Sequence, residues 1–324
     1  MKVAQLLLNN DRKVSLDIYL QDVEGALVKS KKRPGILILP GGAYDHHDLK
    51  EADNIAFAYL KAGFQAFVLK YSVKENASWP NPLNDYNEAM KYLNDNSNDL
   101  CLDVTRIAVI GFSAGGHLAM AASVMGDIRP RATILGYPAL IKETIGTLHK
   151  NIILPLDKDD ENVPPVFIFQ TRTDEMVNIK NSLELQEYLW KNNINFESHI
   201  HSFGDHGFGL GDNTSVRADI SIRAKNWFDD SLSWLDEVWG KFSRDGFGKP
   251  KYTNRINDDK LGCLTCNCTI KRIKENIEGL NILKELFNED LNPLFENIKL
   301  SSVLAYMGKV DLIDELNEKL RDLK

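Results

Sequence analysis

Gly111-Phe112-Ser113-Ala114-Gly115 has the form G-x-S-x-G, and its flanks decide the fold. The run Arg106-Ile107-Ala108-Val109-Ile110 precedes it, and Gly116-His117-Leu118-Ala119-Met120-Ala121-Ala122 follows. The first reads as a buried strand and the second as a helix, which is the setting of a nucleophile elbow. A serine raised on so sharp a turn needs small neighbours, and Gly111 and Gly115 supply them. The helix opening behind Ser113 offers free N–H groups and a partial positive charge where an oxyanion would form.

Strands and helices alternate outward from this point. Val3 to Leu8 and Val14 to Tyr19 predict an opening hairpin or antiparallel edge strands. Gly35 to Leu39 is a continuous apolar run that ends in Pro40-Gly41-Gly42, as a buried parallel strand entering a loop does. Helices are expected over Lys50 to Ala62, Asn81 to Asp95 and Lys180 to Lys191. Further strands are expected over Phe64 to Lys70, Ala132 to Leu135, Val166 to Gln170 and Phe196 to Ile200. Arg217 to Phe242 reads as one long helix with Trp227, Trp234 and Trp239. The pattern predicts an α/β fold, a mostly parallel doubly wound sheet with its ligand site at the C-terminal strand ends. Residues 243–268 read as a polar linker and 269–324 as a small all-helical domain in which Ser301 caps a helix, leaving 1–242 as the main domain.

Bulk properties exclude several classes. The 39 basic and 46 acidic residues give a net charge of −7, which argues against nucleic acid or an anionic membrane as the main partner. No run approaches the roughly 20 apolar residues of a membrane span. The N-terminus lacks the longer apolar region and small-residue cleavage site of a signal peptide, so a cytoplasmic protein is expected. Four cysteines in a chain of this length do not suggest a disulfide framework.

A serine hydroxyl needs a base to act as a nucleophile, and the base needs an acid to orient it. In a fold of this kind the chain order is Ser, then Asp or Glu, then His. Asp174 stands just after the Val166 to Gln170 strand, and His206 lies in the loop after the Phe196 to Ile200 strand. Glu175 could compete for the acid role. Asp205 is a poor candidate because a neighbour one residue away seldom reaches the outer imidazole nitrogen. Oxyanion donors are expected from the amides of Ala114, Gly42 and Ala43.

Pro40-Gly41-Gly42-Ala43-Tyr44, Phe67 to Val73, Gly111 to Ala119 and His206-Gly207-Phe208 together resemble the acetyl esterase and acetyl-xylan esterase branch of the α/β-hydrolases, relatives of the hormone-sensitive-lipase-like esterases. The resemblance spans about residues 1–240. It implies an α/β-hydrolase catalytic domain that hydrolyses small acyl esters, acetyl groups on sugars among them, through an acyl-serine and without cofactor or metal. Pro40 replaces the histidine of the lipase H-G-G-G segment, and Ala43 replaces its third glycine. An amide-cleaving, formamidase-like hydrolase and a non-catalytic binding protein are the alternatives. The segment 269–304 more weakly resembles a helical module appended to some bacterial carbohydrate-active enzymes. Homo-oligomerisation stays open.

Tyr44 and Phe208 are candidates for the substrate pocket, with core packing as the rival reading. His117 reads as a buried, hydrogen-bonded packing residue. His46 and His47 read as solvated loop residues or as groups facing substrate, and Asp85 as a brace or cap for its helix. Cys263, Cys266 and Cys268 could form a metal half-site, but no second cysteine pair or histidine follows, so reduced thiols in a linker are expected. His199 and His201 share a strand face without a third ligand at motif spacing.

Overall fold

The computed structural model describes residues 1–23, 31–147, 151–212, 219–243, 245–251, 254–287 and 292–323. They divide into two compact units, Met1–Asn254 and Arg255–Lys324. No helix among them is long and apolar enough to cross a membrane.

An eight-stranded sheet carries the first unit: β1 (Lys2–Asn9), β2 (Val14–Leu20), β3 (Arg33–Leu39), β4 (Gln65–Lys70), β5 (Leu102–Phe112), β6 (Ala132–Gly136), β7 (Val166–Thr171) and β8 (Phe196–His201). Their order is β1-β2-β4-β3-β5-β6-β7-β8. The first two junctions are antiparallel and the rest parallel. The period of two along a strand sends neighbouring side chains to opposite faces. Leu37, Leu39, Leu69 and Val109 enter one core, while Ile36, Ile38, Val68, Ala108 and Ile110 enter the other. Both faces are covered, so the central strands are apolar throughout.

Helices α2 (Asn81–Asp95), α3 (Ala114–Met125) and α4 (Lys180–Lys191) cover the first face, and α1 (Asp53–Lys61) and α5 (Trp227–Trp239) the second. The segment expected to be helical from Lys50 is broken. A 3-10 turn at Leu49–Glu51, capped by the Asp48 side chain, precedes α1, and the break turns Glu51 inward, where it is 2% exposed. The expected Arg217 to Phe242 helix is also shorter. It begins after a 3-10 turn at Ala224–Asn226 and stops at Gly240, whose φ of +82° a helix cannot continue. Residues 217 and 218 lie outside the described residues.

The stretch 243–268 is not a separate linker. Phe242–Ser243 pairs with Gly246–Phe247, the Arg106 guanidinium lies 3.8 Å over the Phe247 ring, and the Asn195 N–H donates to the Asn254 carbonyl, which ties Ser243, Phe247 and Asn254 to the first unit. Beyond residue 254, Leu264, Cys266 and Cys268 join the core of the second unit with Ile270, Ile273, Leu283, Leu300, Val303, Leu304, Leu316 and Leu320. Its helices are α6 (Ile270–Lys274), α7 (Ile277–Phe287), α8 (Leu300–Tyr306) and α9 (Ile313–Arg321). Thr269 caps α6 through its hydroxyl. Ser301 does not cap α8: Lys299 holds the cap position, and the Ser301 N–H donates to the Cys266 carbonyl at 2.7 Å.

Candidate active site

Ser113, Asp174, His206 and the Gly41–Ala43 loop all follow C-terminal ends of strands, namely β5, β7, β8 and β3. Ser113 has φ +52° and ψ −118°, a conformation an L-residue adopts only when its surroundings enforce it. They do so here. The Ser113 N–H donates to the Gly136 carbonyl at 3.0 Å, and its own carbonyl accepts from Ala139 at 3.1 Å. A Cβ on Gly115 would stand 2.5 Å from the Pro40 carbonyl oxygen and closer still to that of Leu39, so only glycine lets α3 start so near the end of β3.

The three polar residues meet through space. The His206 Nε2 lies 2.9 Å from Ser113 Oγ, and its Nδ1 lies 2.7 Å from Asp174 Oδ2. A carboxylate can only accept, so the proton sits on Nδ1 and the hydroxyl donates to Nε2. Asp174 is 4% exposed, and its Oδ1 accepts the N–H groups of Met176 and Val177 at 3.0 and 2.8 Å. Asp205 and Glu175 point to solvent. Beside Ser113, Gly42 has φ +123° and Ala43 φ +56°. Among the described residues, no internal acceptor is assigned to the amides of Gly42, Ala43 or Ala114. The Gly41 amide is already engaged, donating to Glu51 Oε2 at 2.8 Å.

Tyr44 and Phe208 are both buried, as the rival core-packing reading expects. Tyr44 is 1% exposed and its hydroxyl bonds His117 Nδ1 at 2.7 Å, while Phe208 is 2% exposed and packs on Tyr137 and Phe169. The other ring nitrogen of buried His117 meets the Ile153 carbonyl at 2.7 Å. His46 is exposed beside Asp45. His47 instead turns inward, donating Nε2–H to the Tyr71 carbonyl at 3.0 Å, and burial lowers its pKa to about 4. Asp85 braces its helix: it accepts the Ser72 N–H at 2.7 Å and the Arg12 guanidinium at 2.5 Å. His199 pairs with Glu197 and Asp230. Among the described residues no group of three His, Cys, Asp or Glu could hold a metal ion.

Two residues near the site lay outside the sequence reading, Glu51 and Tyr137. Tyr137 donates to Glu51 Oε1 at 2.6 Å, accepts the Gly209 N–H at 3.1 Å, and sets its ring edge-on to His206 at 4.9 Å. Neither carries a local motif. The inward turn of Glu51 follows from the break before α1.

Residues 16–131 match the BD-FAE family. The endo-1,4-beta-xylanase B of Butyrivibrio fibrisolvens is 29% identical over 206 residues, covering 54% of this chain and 32% of that protein. The acetylxylan esterase of Xylanibacter ruminicola is 26% identical over 199 residues, covering 54% and 41%. The chain thus spans less than half the length of these curated relatives. MGS-M1, an α/β hydrolase enzyme from a Medee basin deep-sea metagenome library, is 41% identical, with a TM-score of 0.68 over 73% of this chain and 97% of its own. Identity at that level across nearly the whole of a solved α/β hydrolase, joined to the elbow geometry, makes this chain a member of the α/β-hydrolase family.

Proposed function

We propose that the protein is a carboxylic ester hydrolase acting on short acyl esters, with acetylated carbohydrate as its substrate class. The observation that carries this reading is the chain of hydrogen bonds from Ser113 through His206 to Asp174, at 2.9 and 2.7 Å, beside amides that bond no acceptor among the described residues. Chemistry is assigned to the Met1–Asn254 unit. His206 Nε2 takes the Ser113 proton as Oγ attacks the ester carbonyl, and Asp174 stabilises the resulting imidazolium. The amides of Gly42, Ala43 and Ala114 receive the oxyanion, each worth about 3 kcal/mol in the transition state. His206 then returns the proton to the leaving alcohol, and water repeats the sequence on the acyl-serine to release the acid. No step calls for a cofactor or a metal. The sugar side of the proposal draws on the acetylxylan esterase among the relatives.

The test is hydrolysis of 4-nitrophenyl acetate, butyrate and octanoate by wild type and Ser113→Ala, with acetylated xylo-oligosaccharides in parallel. Expected are acetate-preferring turnover that vanishes in the variant and acetate release from the oligosaccharides. Ester turnover that ignores the oligosaccharides removes the carbohydrate assignment, and turnover that survives Ser113→Ala removes the mechanism.

A further inference from the structure

Glu51 is a carboxyl group buried beside the active site that the steps above do not use. It is 2% exposed, and its two oxygens serve different parts of the site. Oε2 accepts the Gly41 N–H at 2.8 Å, at the base of the loop that presents Gly42 and Ala43. Oε1 accepts the Tyr137 hydroxyl at 2.6 Å, and that hydroxyl accepts the Gly209 N–H at 3.1 Å, in the loop that carries His206. From the same 3-10 turn, Lys50 Nζ donates to the Gly207 carbonyl at 3.0 Å. One turn of chain therefore holds the oxyanion loop and the histidine loop together. The space is tight, since a Cβ on Gly41 would meet Glu51 Oε2 at 2.6 Å and Ser113 Cβ at 3.0 Å.

We infer that Glu51 is a positioning residue of the hydrolytic site, acting through Gly41 and Tyr137 to set the oxyanion amides and the His206 imidazole in register and placing a second buried carboxylate beside that imidazole. The inference rests on the Ser113–His206–Asp174 reading. Both partners of Glu51 are donors, so its hydrogen bonds suit the ionised form, whereas burial pushes the carboxyl upward. The Tyr137 hydroxyl and the Gly41 N–H counteract that push, with a smaller contribution from the nearby His206. His206 contacts Asp174 from the loop after β7, Ser113 from the elbow and the Tyr137 ring; behind these stand Glu51, bonded to Tyr137, and Lys50, bonded to the Gly207 carbonyl and to Asp48, with Asp205 adjacent in its own loop. Asp174 holds the outer nitrogen, and Glu51 lies across the Tyr137 bridge from the imidazole.

Glu51→Gln keeps the shape and removes the charge. In either amide orientation one donor loses its acceptor, because the NH2 group must face the Gly41 N–H or the Tyr137 hydroxyl. The expected result with 4-nitrophenyl acetate is a fall in kcat of about tenfold with KM within about twofold. The acid limb of the kcat/KM profile moves to lower pH by about half a unit or more, because the imidazolium has lost a stabilising anion. Tyr137→Phe, which cuts the bridge and keeps the Glu51 carboxyl, should lower kcat with a smaller displacement of the limb. Circular dichroism and thermal melts establish that each variant is folded. A folded Glu51→Gln with wild-type kcat and profile overturns the inference, as does a loss of rate with an unmoved limb, which marks a purely structural role. If Glu51→Gln does not fold, a folded Tyr137→Phe with wild-type kcat overturns it. Ser113→Ala, assayed alongside, separates the readings: turnover that survives it defeats the hydrolase mechanism, whereas its loss beside an unaffected Glu51→Gln defeats only the role of Glu51.

Discussion

Replacing Asp174 with asparagine changes almost no volume and reverses a proton. Asp174 Oδ1 accepts two backbone amides, at 3.0 and 2.8 Å, while Oδ2 accepts His206 Nδ1–H at 2.7 Å. Asparagine has one oxygen, and at a position 4% exposed the two amides claim it, because an NH2 group there would face two donors with no acceptor. The NH2 group is then directed at His206 Nδ1, which must accept. The imidazole proton moves to Nε2, which stands 2.9 Å from Ser113 Oγ and can no longer receive the serine proton. The expected loss in kcat is about ten-thousandfold, or about 5.5 kcal/mol at 1.36 kcal/mol per decade. The assay is 4-nitrophenyl acetate turnover near neutral pH, with a thermal melt to show that the fold is retained. Exposed Glu175→Gln serves as a control and should behave as wild type. A folded Asp174→Asn within about tenfold of wild type would refute the orientation argument, since it would mean that the carboxylate does not set the tautomer.

Two further outcomes follow from packing and burial. Gly115→Ala must part α3 from the end of β3, because the atoms its Cβ meets are the Leu39 and Pro40 carbonyls rather than movable side chains. A loss of about 3 kcal/mol in urea unfolding is expected, with turnover reduced as well, and a wild-type midpoint would contradict it. His47 gives a pH dependence. Its folded pKa is depressed to about 4 against an ordinary value of 6.5, so the unfolded chain binds a proton that the folded chain refuses. Stability from this group is complete above pH 6.5 and falls as pH drops through about 4, by roughly 3 kcal/mol at most. Urea midpoints measured against pH should fall more steeply for wild type than for His47→Gln, and parallel curves would dismiss the assignment.

Legibility in the sequence followed the range of the interaction. α2 and α4 have the limits their apolar spacing predicts, Asn81–Asp95 and Lys180–Lys191, because one face of each helix is written into the local pattern. The α1 region failed that test. Asp48 caps a 3-10 turn through its side chain, and the register break at Ala52 sends Glu51 into the interior, which a charged residue in an expected helix gives no reason to suspect. Cys266 and Cys268 read as linker thiols because no second ligand pair follows them, yet they fill the core of the second unit through contacts with residues far along the chain.

What the sequence by itself determined was the parallel sheet, the strained elbow at Ser113 and the order in which serine, acid and histidine arrive, since strand period, glycine placement and chain order are local or topological properties. Tertiary structure decided the rest. It set the carboxylate of Asp174, not those of exposed Glu175 and Asp205, 2.7 Å from His206. It withdrew Tyr44 and Phe208 into the core, and it joined Glu51 to Tyr137 across 86 residues of chain. A hydrogen bond depends on where atoms meet in space, and residues so far apart in the chain meet only after the sheet has formed.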